Sequence, residues 1–236
     1  MTEALYMNDC YLTEFEAYVT KVEGNKIFLD KTAFYPTSGG IECDKGEIYY
    51  ENQIYKVIEV KKENEEIAHY LDSNASFLQG KRIRGKIDWN RRYKLMRLHT
   101  AAHLIAAILY KQYNILITGG NISEEYARDD FNLPLENWKE IVENCIVTAN
   151  KLIEEGRNVK IYFLKREEAL KIPGIVKLAE RMPPNLEVLR IVEIEGIDIQ
   201  ADGGPHVKNI KEIGKIKLIK LENKGKNNRR IYYTVE

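Results

Sequence analysis

The sequence predicts an α+β chain in which a small N-terminal β-barrel precedes a segment with a mixed or antiparallel sheet and a helix bearing two histidines. Three observations predict this. Up to about residue 88, short stretches alternate in polarity and are separated by turn residues, as in a small barrel. At Asp88-Trp89-Asn90 the apolar spacing changes to that of a helix. Beyond it, strand and helix patterns mix without a βαβ repeat. The shift divides the chain into an N-terminal barrel domain, residues 1–88, and a second domain, residues 89–236.

Residues 11–20 alternate and are rich in β-formers, so they read as a strand. Gly24-Asn25 turns the chain and Lys26-Ile27-Phe28-Leu29 returns it. Thr32 to Gly40 is a loop with a proline and a glycine pair. Gly46 to Val60 holds two strands joined at Glu51-Asn52, Lys62 to Glu66 reads as a polar loop, and residues 67–71 and 81–88 as further strands. Asn90 is placed to cap a helix running to about Tyr110, with Leu95, Leu98, Ala102, Ile105 and Leu109 as its stripe. From Leu104 to Leu109 that helix is apolar nearly all round, which predicts burial. Gly119-Gly120 reads as a break and Asn121 to Phe131 as extended chain. A second helix follows Leu133-Pro134, with Trp138, Ile141, Val142, Cys145, Ala149, Leu152 and Ile153 inward and Gly156 as its stop. Val159 to Leu164 is a strand, Arg166 to Lys171 a short helix, and Glu187 to Ile194 a strand. Residues 211–222 and 229–235 form a hairpin through Lys224-Gly225.

With 44% hydrophobic and 31% charged residues, the chain can bury a core and is not of disordered composition. Lys+Arg and Asp+Glu are both 36, so net charge gives no argument for a nucleic-acid partner. The cysteines Cys10, Cys43 and Cys145 form no CxxC pair, which fits a reducing, cytoplasmic setting. No basic-then-apolar leader pattern and no apolar run of roughly 20 residues is present, so neither secretion nor a membrane span is expected. No ATP-binding signature is present.

Three of the four histidines lie in two short segments. His99 and His103 are four apart on a predicted helix and therefore share a face, a spacing that suits a divalent metal. His206 lies in the Gly-rich stretch Asp202-Gly203-Gly204-Pro205-His206-Val207. A helical pair plus a loop histidine is the pattern of a three-ligand catalytic zinc site with one open position. The residues between the helical pair are Thr100, Ala101 and Ala102, so the HExxH protease pattern is excluded for want of its glutamate. Asp202 either completes the coordination sphere or orients a ligand from behind it. His69 lies away from these motifs and reads as structural.

These residues resemble the alanyl-tRNA editing protein (AlaX) family, which is related to the editing domain of alanyl-tRNA synthetase. His99-Thr100-Ala101-Ala102-His103 is similar to its HxxxH motif, and Asp198 to Val207 to its second motif. Glu212-Ile213-Gly214 and Lys224-Gly225 with Arg229-Arg230-Ile231 follow the same pattern, and Thr32 to Gly40 with Asp44-Lys45-Gly46 resembles the Gly-rich motif of the longer members. The resemblance covers most of the chain and implies a barrel joined to an α+β editing domain. It implies a zinc-dependent hydrolase that clears serine from mischarged tRNA(Ala) by cutting the aminoacyl ester, with removal of glycine left open. His99, His103 and His206 are then the zinc ligands, with zinc either activating water or positioning the substrate. Thr32 is implied as the contact to the serine hydroxyl, and Gly39 and Gly40 as a close backbone approach to the substrate. The chain departs from the family pattern at Asp202, where Cys is frequent, at Pro205, where Thr is frequent, and at Ile41, where Gln is frequent.

Two basic clusters flank the histidine motifs. Residues 81–97 include Lys81, Arg82, Arg84, Lys86, Arg91, Arg92, Lys94 and Arg97, and residues 208–230 carry nine basic residues against Glu212 and Glu222. Either they are solvated faces, or they contact tRNA phosphates, with Arg91 and Arg92 the foremost candidates. Two other readings remain open: an editing domain that removes serine from tRNA(Thr), and a zinc-stabilised RNA-binding module without catalysis.

Overall fold

The computed structural model describes residues 2–64, 66–133, 136–175 and 186–236. Its contacts divide the chain into two units, Met1–Leu95 and Met96–Glu236. In the first unit the strands are β1 (Glu3–Ala4), β2 (Glu14–Glu23), β3 (Lys26–Leu29), β4 (Lys31–Thr32), β5 (Gly46–Tyr50), β6 (Gln53–Glu63), β7 (Glu66–Leu71) and β8 (Arg82–Ile87). Six of them close a barrel in the order β2-β3-β7-β6-β5-β8, every neighbouring pair antiparallel. Alternation along the strands places Phe15, Ala17, Val19, Ile48, Val57, Val60, Leu71 and Ile83 inside. Gly24-Asn25 and Glu51-Asn52 are two-residue hairpin loops, as their sequences predict.

The predicted loop over Lys62 to Glu66 is corrected: β6 continues through Lys62 and Glu63, which pair with Ile67 and Glu66. The ladder is made by backbone, and polar side chains on a barrel's outer face do not interrupt it. The Lys26 ammonium, 2.8 Å from Glu63, ties that end to β3.

Helix α1 (Trp89–Tyr113) begins in the first unit and continues in the second. Its cap is Asp88, not the expected Asn90: Asp88 Oδ1 accepts the Arg91 N–H at 3.2 Å, and Asn90 lies within the first turn. From Leu104 to Leu109 every side chain is buried, as the apolar run predicts. The second unit adds β9 (Ile117–Ile122), β10 (Ala127–Phe131), α2 (Trp138–Glu155), β11 (Val159–Lys165), α3 (Arg166–Ala169), β12 (Val188–Ile194), β13 (Asp198–Ala201), β14 (Ile216–Asn223) and β15 (Arg229–Val235). They form two antiparallel sheets, β14-β15-β10-β9 and β11-β12-β13.

Two expectations in this unit change. Gly119 and Gly120 do not break the chain but lie within β9, opposite Asp130 and Asp129. A Cβ on Gly120 would stand 2.6 Å from Asp129 Oδ1, so glycine is required by the buried carboxylate beside it. Residues 210–213 form a 3-10 turn closed by an Asn209–Glu212 capping box, and the strand starts only at Ile216. Leu152 on α2 is half-buried, whereas the other expected inward residues are buried together with Ile146. Pro134, expected just before that helix, lies outside the described residues. Among the described residues no helix is long and apolar enough to cross a membrane.

His69 on β7 is wholly buried in the first unit. Its Nδ1 faces the Ile27 carbonyl at 3.4 Å, and its Nε2 lies 2.8 Å from Thr32 Oγ1. With the proton on Nδ1, Nε2 accepts from the Thr32 hydroxyl. Burial, opposed in part by backbone hydrogen bonds, lowers its pKa to about 4 from the ordinary 6.5. Below pH 6.5 the unfolded chain therefore takes up a proton that the folded chain refuses, so stability falls as pH drops from 6.5 toward 4, by up to about 3 kcal/mol from this residue. In thermal unfolding of wild type and His69→Gln, the stability gap is expected to shrink between pH 7 and pH 4.5; a gap independent of pH would show that His69 is not held neutral.

Candidate metal centre

In the second unit α1 projects His99 and His103 from successive turns, with ring centroids 4.8 Å apart. The loop after β13 brings His206 against them, 4.1 Å from His99 and 4.5 Å from His103 between centroids. With Asp202 they form a cluster whose four offered ligand atoms all lie within 4.8 Å of one another and which could hold a metal ion. The three histidines are buried and Asp202 keeps 24% of its side chain exposed, so the cluster meets solvent on the Asp202 side.

Each imidazole has its Nδ1 directed away from the cluster. His99 Nδ1 donates to the Pro205 carbonyl at 3.2 Å. The Thr100 hydroxyl donates to the Met96 carbonyl at 2.8 Å, so its oxygen accepts from His206 Nδ1 at 3.1 Å and from the Val207 N–H at 3.3 Å. His103 Nδ1 lies 3.3 Å from Asp198 Oδ2, at ion-pair distance but off the line of a hydrogen bond. Protons on Nδ1 leave each Nε2 as a bare lone pair.

Two of those lone pairs then face a carboxylate: His206 Nε2 is 3.2 Å from Asp202 Oδ2 and His99 Nε2 is 3.7 Å from Oδ1. Acceptor against acceptor is repulsive unless a cation lies among them. Protonating His99 or His206 would also supply one, but burial opposes it. His99 is lowered to about 4, burial outweighing the pull of Asp202, and His206 is pushed well below its ordinary value by burial and by its two histidine neighbours. Burial alone would raise the Asp202 pKa, but the positive charge of protonated histidines, His99 foremost, and a bond donated by His206 hold it well below the carboxylate range, and a cation in their midst would act in the same sense. Three imidazoles and a carboxylate are a donor set that fits a divalent metal.

Arg190 on β12 fixes the loop. Its Nη1 donates to the carbonyls of Asp202 at 2.9 Å and Gly204 at 3.0 Å, while Asp202 Oδ2 accepts the Gly204 N–H at 2.6 Å. Arg190, Asp198 and Thr100 were not singled out from sequence. The signal available was a charged residue inside an apolar strand, as in Val188-Leu189-Arg190-Ile191-Val192 and Ile197-Asp198-Ile199.

The other expected site residues lie in the first unit. Thr32 is fully buried; besides its bond to His69, its oxygen accepts the Phe34 N–H at 3.1 Å. Gly39 and Gly40 have φ of +59° and +83° and form the central pair of a type I′ turn closed by Ser38 and Ile41. The turn itself requires these glycines. Arg91 and Arg92 do not present guanidinium groups for phosphate, which corrects the sequence expectation. Arg91 binds the Cys43 carbonyl at 2.9 Å and Glu42 at 2.7 Å. Arg92 is wholly buried, forked on Asp44, and bonded to the carbonyls of Cys10 and Ala33 at 2.8 and 2.6 Å. The basic clusters are largely matched within the fold. Arg82 and Arg84 pair with Glu16 and Glu14, Lys220 with Glu222, and Arg230 with Asp130.

Residues 189–232, which include the second-unit loop, match the family model described as threonyl and alanyl tRNA synthetase second additional domain. Residues 3–91 match that of class II (A) tRNA synthetases. The chain is 56% identical, over 100% of both sequences, to a protein of Saccharolobus solfataricus named Alanyl-tRNA editing protein AlaX-M. It belongs to the alanyl-tRNA editing protein family. A Methanosarcina barkeri protein of the same name is 43% identical over 100% of this chain and 99% of its own. The alanine–tRNA ligase of Ignicoccus hospitalis is 38% identical over 92% of this chain, which corresponds to 24% of that ligase. The family relation thus extends across both units of this alanyl-tRNA editing family member.

Loss of the carboxylate behind His103 tests the metal reading. Asp198→Ala is expected to weaken divalent-metal binding by roughly 10–100-fold in a chelator-competition titration, with an unchanged far-UV spectrum. Unaltered affinity would mean that Asp198 does not hold the His103 ring.

Proposed function

We propose that this chain is a free-standing editing hydrolase that removes serine, and glycine as a second substrate, from mischarged tRNA(Ala) at a zinc centre held by His99, His103 and His206. The observation that carries the reading is the buried cluster of three imidazoles with Asp202, its four offered ligand atoms within 4.8 Å of one another, in a chain alignable end to end with proteins named for alanyl-tRNA editing. Three imidazole nitrogens with a carboxylate suit zinc among the common divalent ions. A bound zinc ion supplies Lewis-acid polarisation of oxygen at the site.

The reaction is hydrolysis of an ester. Water oxygen bonds to the ester carbonyl carbon, the bond to the ribose oxygen breaks, that oxygen takes a proton, and free amino acid and tRNA result. The chain's own part is positioning. Thr100, Pro205 and Asp198 set the ring planes and Arg190 sets the loop. Asp202, at the solvent side, completes the cation site and offers negative charge to the ammonium group of an incoming aminoacyl end.

The matched model is shared by threonyl and alanyl synthetases, which keeps serine on tRNA(Thr) as the second reading. Deacylation of Ser-tRNA(Ala), Ala-tRNA(Ala) and Ser-tRNA(Thr) by wild type and His103→Ala separates them. Rapid serine release from tRNA(Ala) alone is expected, lowered at least about 10²-fold in His103→Ala and recovered with zinc after chelation of the wild type. Release from tRNA(Thr) alone would move the activity to that substrate. Cleavage of none, with zinc bound stoichiometrically, would leave an RNA-binding module.

Thr32 is the proposed selectivity group. Its hydrogen goes to His69 and one lone pair to Phe34, so a second lone pair remains to accept from a serine hydroxyl. Thr32→Val is expected to slow serine release from tRNA(Ala) by about 10²-fold or more while sparing glycine release. Equal slowing of both would confine Thr32 to its bonds with His69 and Phe34.

A further inference from the structure

The outer face of the barrel carries an open groove of about 400 Å³, in the first unit and apart from the histidine cluster in sequence. Gly46 creates it. Gly46 pairs with Val57 on β6 and Ile87 on β8, and a Cβ there would lie 2.2 Å from the Lys86 carbonyl oxygen, so no side chain can stand on that spot. Lys45, Lys56 and Lys86 line the groove and all three are exposed.

Their charges are left open by a specific arrangement. Glu47 on β5 sits between Lys56 and Lys86 in the register and is the natural cross-strand partner of both. Its carboxylate accepts the Tyr49 hydroxyl on its own strand and makes no ion pair with either lysine, while its negative charge stays at the groove's edge. The other acid of the groove, Asp88, accepts the Arg91 N–H as the cap of α1. Among the described residues no carboxylate lies within 4.0 Å of the three ammonium groups, whereas Lys21, Lys26, Lys61 and Arg82 of the same barrel each have a glutamate. Lys56 and Lys86 stand two strand spacings apart, about 10 Å at the backbone. A row of that width over an open groove matches a chain of repeated negative charges better than one small anion. Ile58, 49% exposed on the rim, offers apolar surface to a sugar or base.

We propose that this groove is a docking surface for a polynucleotide backbone. Its identification with tRNA rests on the editing reading; its affinity for a polyanion does not. The two basic clusters of the sequence contribute only Lys86 to it, and the surface is assembled across three places in the chain.

The test is binding of uncharged tRNA to the full chain across a salt series, for wild type, Lys45→Gln/Lys56→Gln/Lys86→Gln, and the control Lys160→Gln/Lys217→Gln/Lys220→Gln, whose lysines are matched by glutamates. The groove variant is expected to bind at least tenfold more weakly at low salt. Its slope of log affinity against log salt is expected to be shallower by about 2, at 0.7–0.9 per phosphate contact. With Ser-tRNA(Ala) its KM rises and its kcat holds. Unchanged affinity and slope, an equal loss in the control, or no tRNA binding by wild type would overturn the proposal. A groove-specific loss in a protein that cleaves no mischarged tRNA would uphold the surface and sink the editing reading. Cleavage of Ser-tRNA(Ala) with the groove variant binding as wild type would do the reverse.

Discussion

The second unit is built around a juxtaposition of three imidazoles and a carboxylate that could hold a cation. His99 and His206 turn unprotonated Nε2 atoms toward the Asp202 carboxylate, at 3.7 and 3.2 Å. Two lone pairs and an anion so close, with the histidines buried, repel one another unless positive charge is shared among them. Burial also denies the imidazoles a proton, which removes the ordinary remedy. The cluster is one that could hold a metal ion, and the supports around it suit that. A main-chain carbonyl and a threonine oxygen accept from the Nδ1 atoms of His99 and His206, and the Asp198 carboxylate stands 3.3 Å from that of His103.

The supports also explain how the departures from the family pattern are accommodated. Pro205 lacks the backbone N–H and the hydroxyl of a threonine, but its carbonyl is the group that holds His99, and proline's fixed φ stiffens the residue that presents it. Asp202 is shorter in charge reach than a thiolate is soft, yet it does a second task a cysteine would not do as well: its Oδ2 accepts the Gly204 N–H and closes the loop that delivers His206. Arg190 completes that closure from the neighbouring strand, and its buried charge is balanced by the carboxylate 3.9 Å away.

Much of this was legible in the sequence because it follows from periodicity. An i, i+4 histidine pair on an apolar helix and a third histidine in a glycine-rich loop need only the 3.6-residue repeat to be read. The barrel is likewise legible from alternation and two-residue turns. Two of the failures share a cause, a partner that lies elsewhere in the chain, and a third turns on a choice between two local caps. Gly119-Gly120 resembles a break until Asp129 is seen pressing on β9. Asn90 resembles a cap because Asp88, two residues earlier, is equally able and is the one whose oxygen meets the Arg91 N–H. Thr100 resembles filler between two histidines, although its hydroxyl orients a third that is 106 residues distant.

Charge shows the same limit most sharply. Arg91 and Arg92 stand in the most basic stretch of the chain, yet both are buried, and Arg92 is surrounded by Asp44 and two main-chain carbonyls. A guanidinium in that position is a structural strut: removing either partner would strand an uncompensated charge, at a cost of about 3–5 kcal/mol. It ties Ala33, beside Thr32, and Asp44, before Gly46, to the start of α1. Lys45, Lys56 and Lys86 are scattered in sequence, and the barrel register sets Lys56 and Lys86 on either side of Glu47, while Glu47 and Asp88 accept from Tyr49 and the helix end and pair with none of the three. A linear count of positive residues therefore points to the wrong arginines. Which cations can meet a partner is decided by what each nearby carboxylate is already holding.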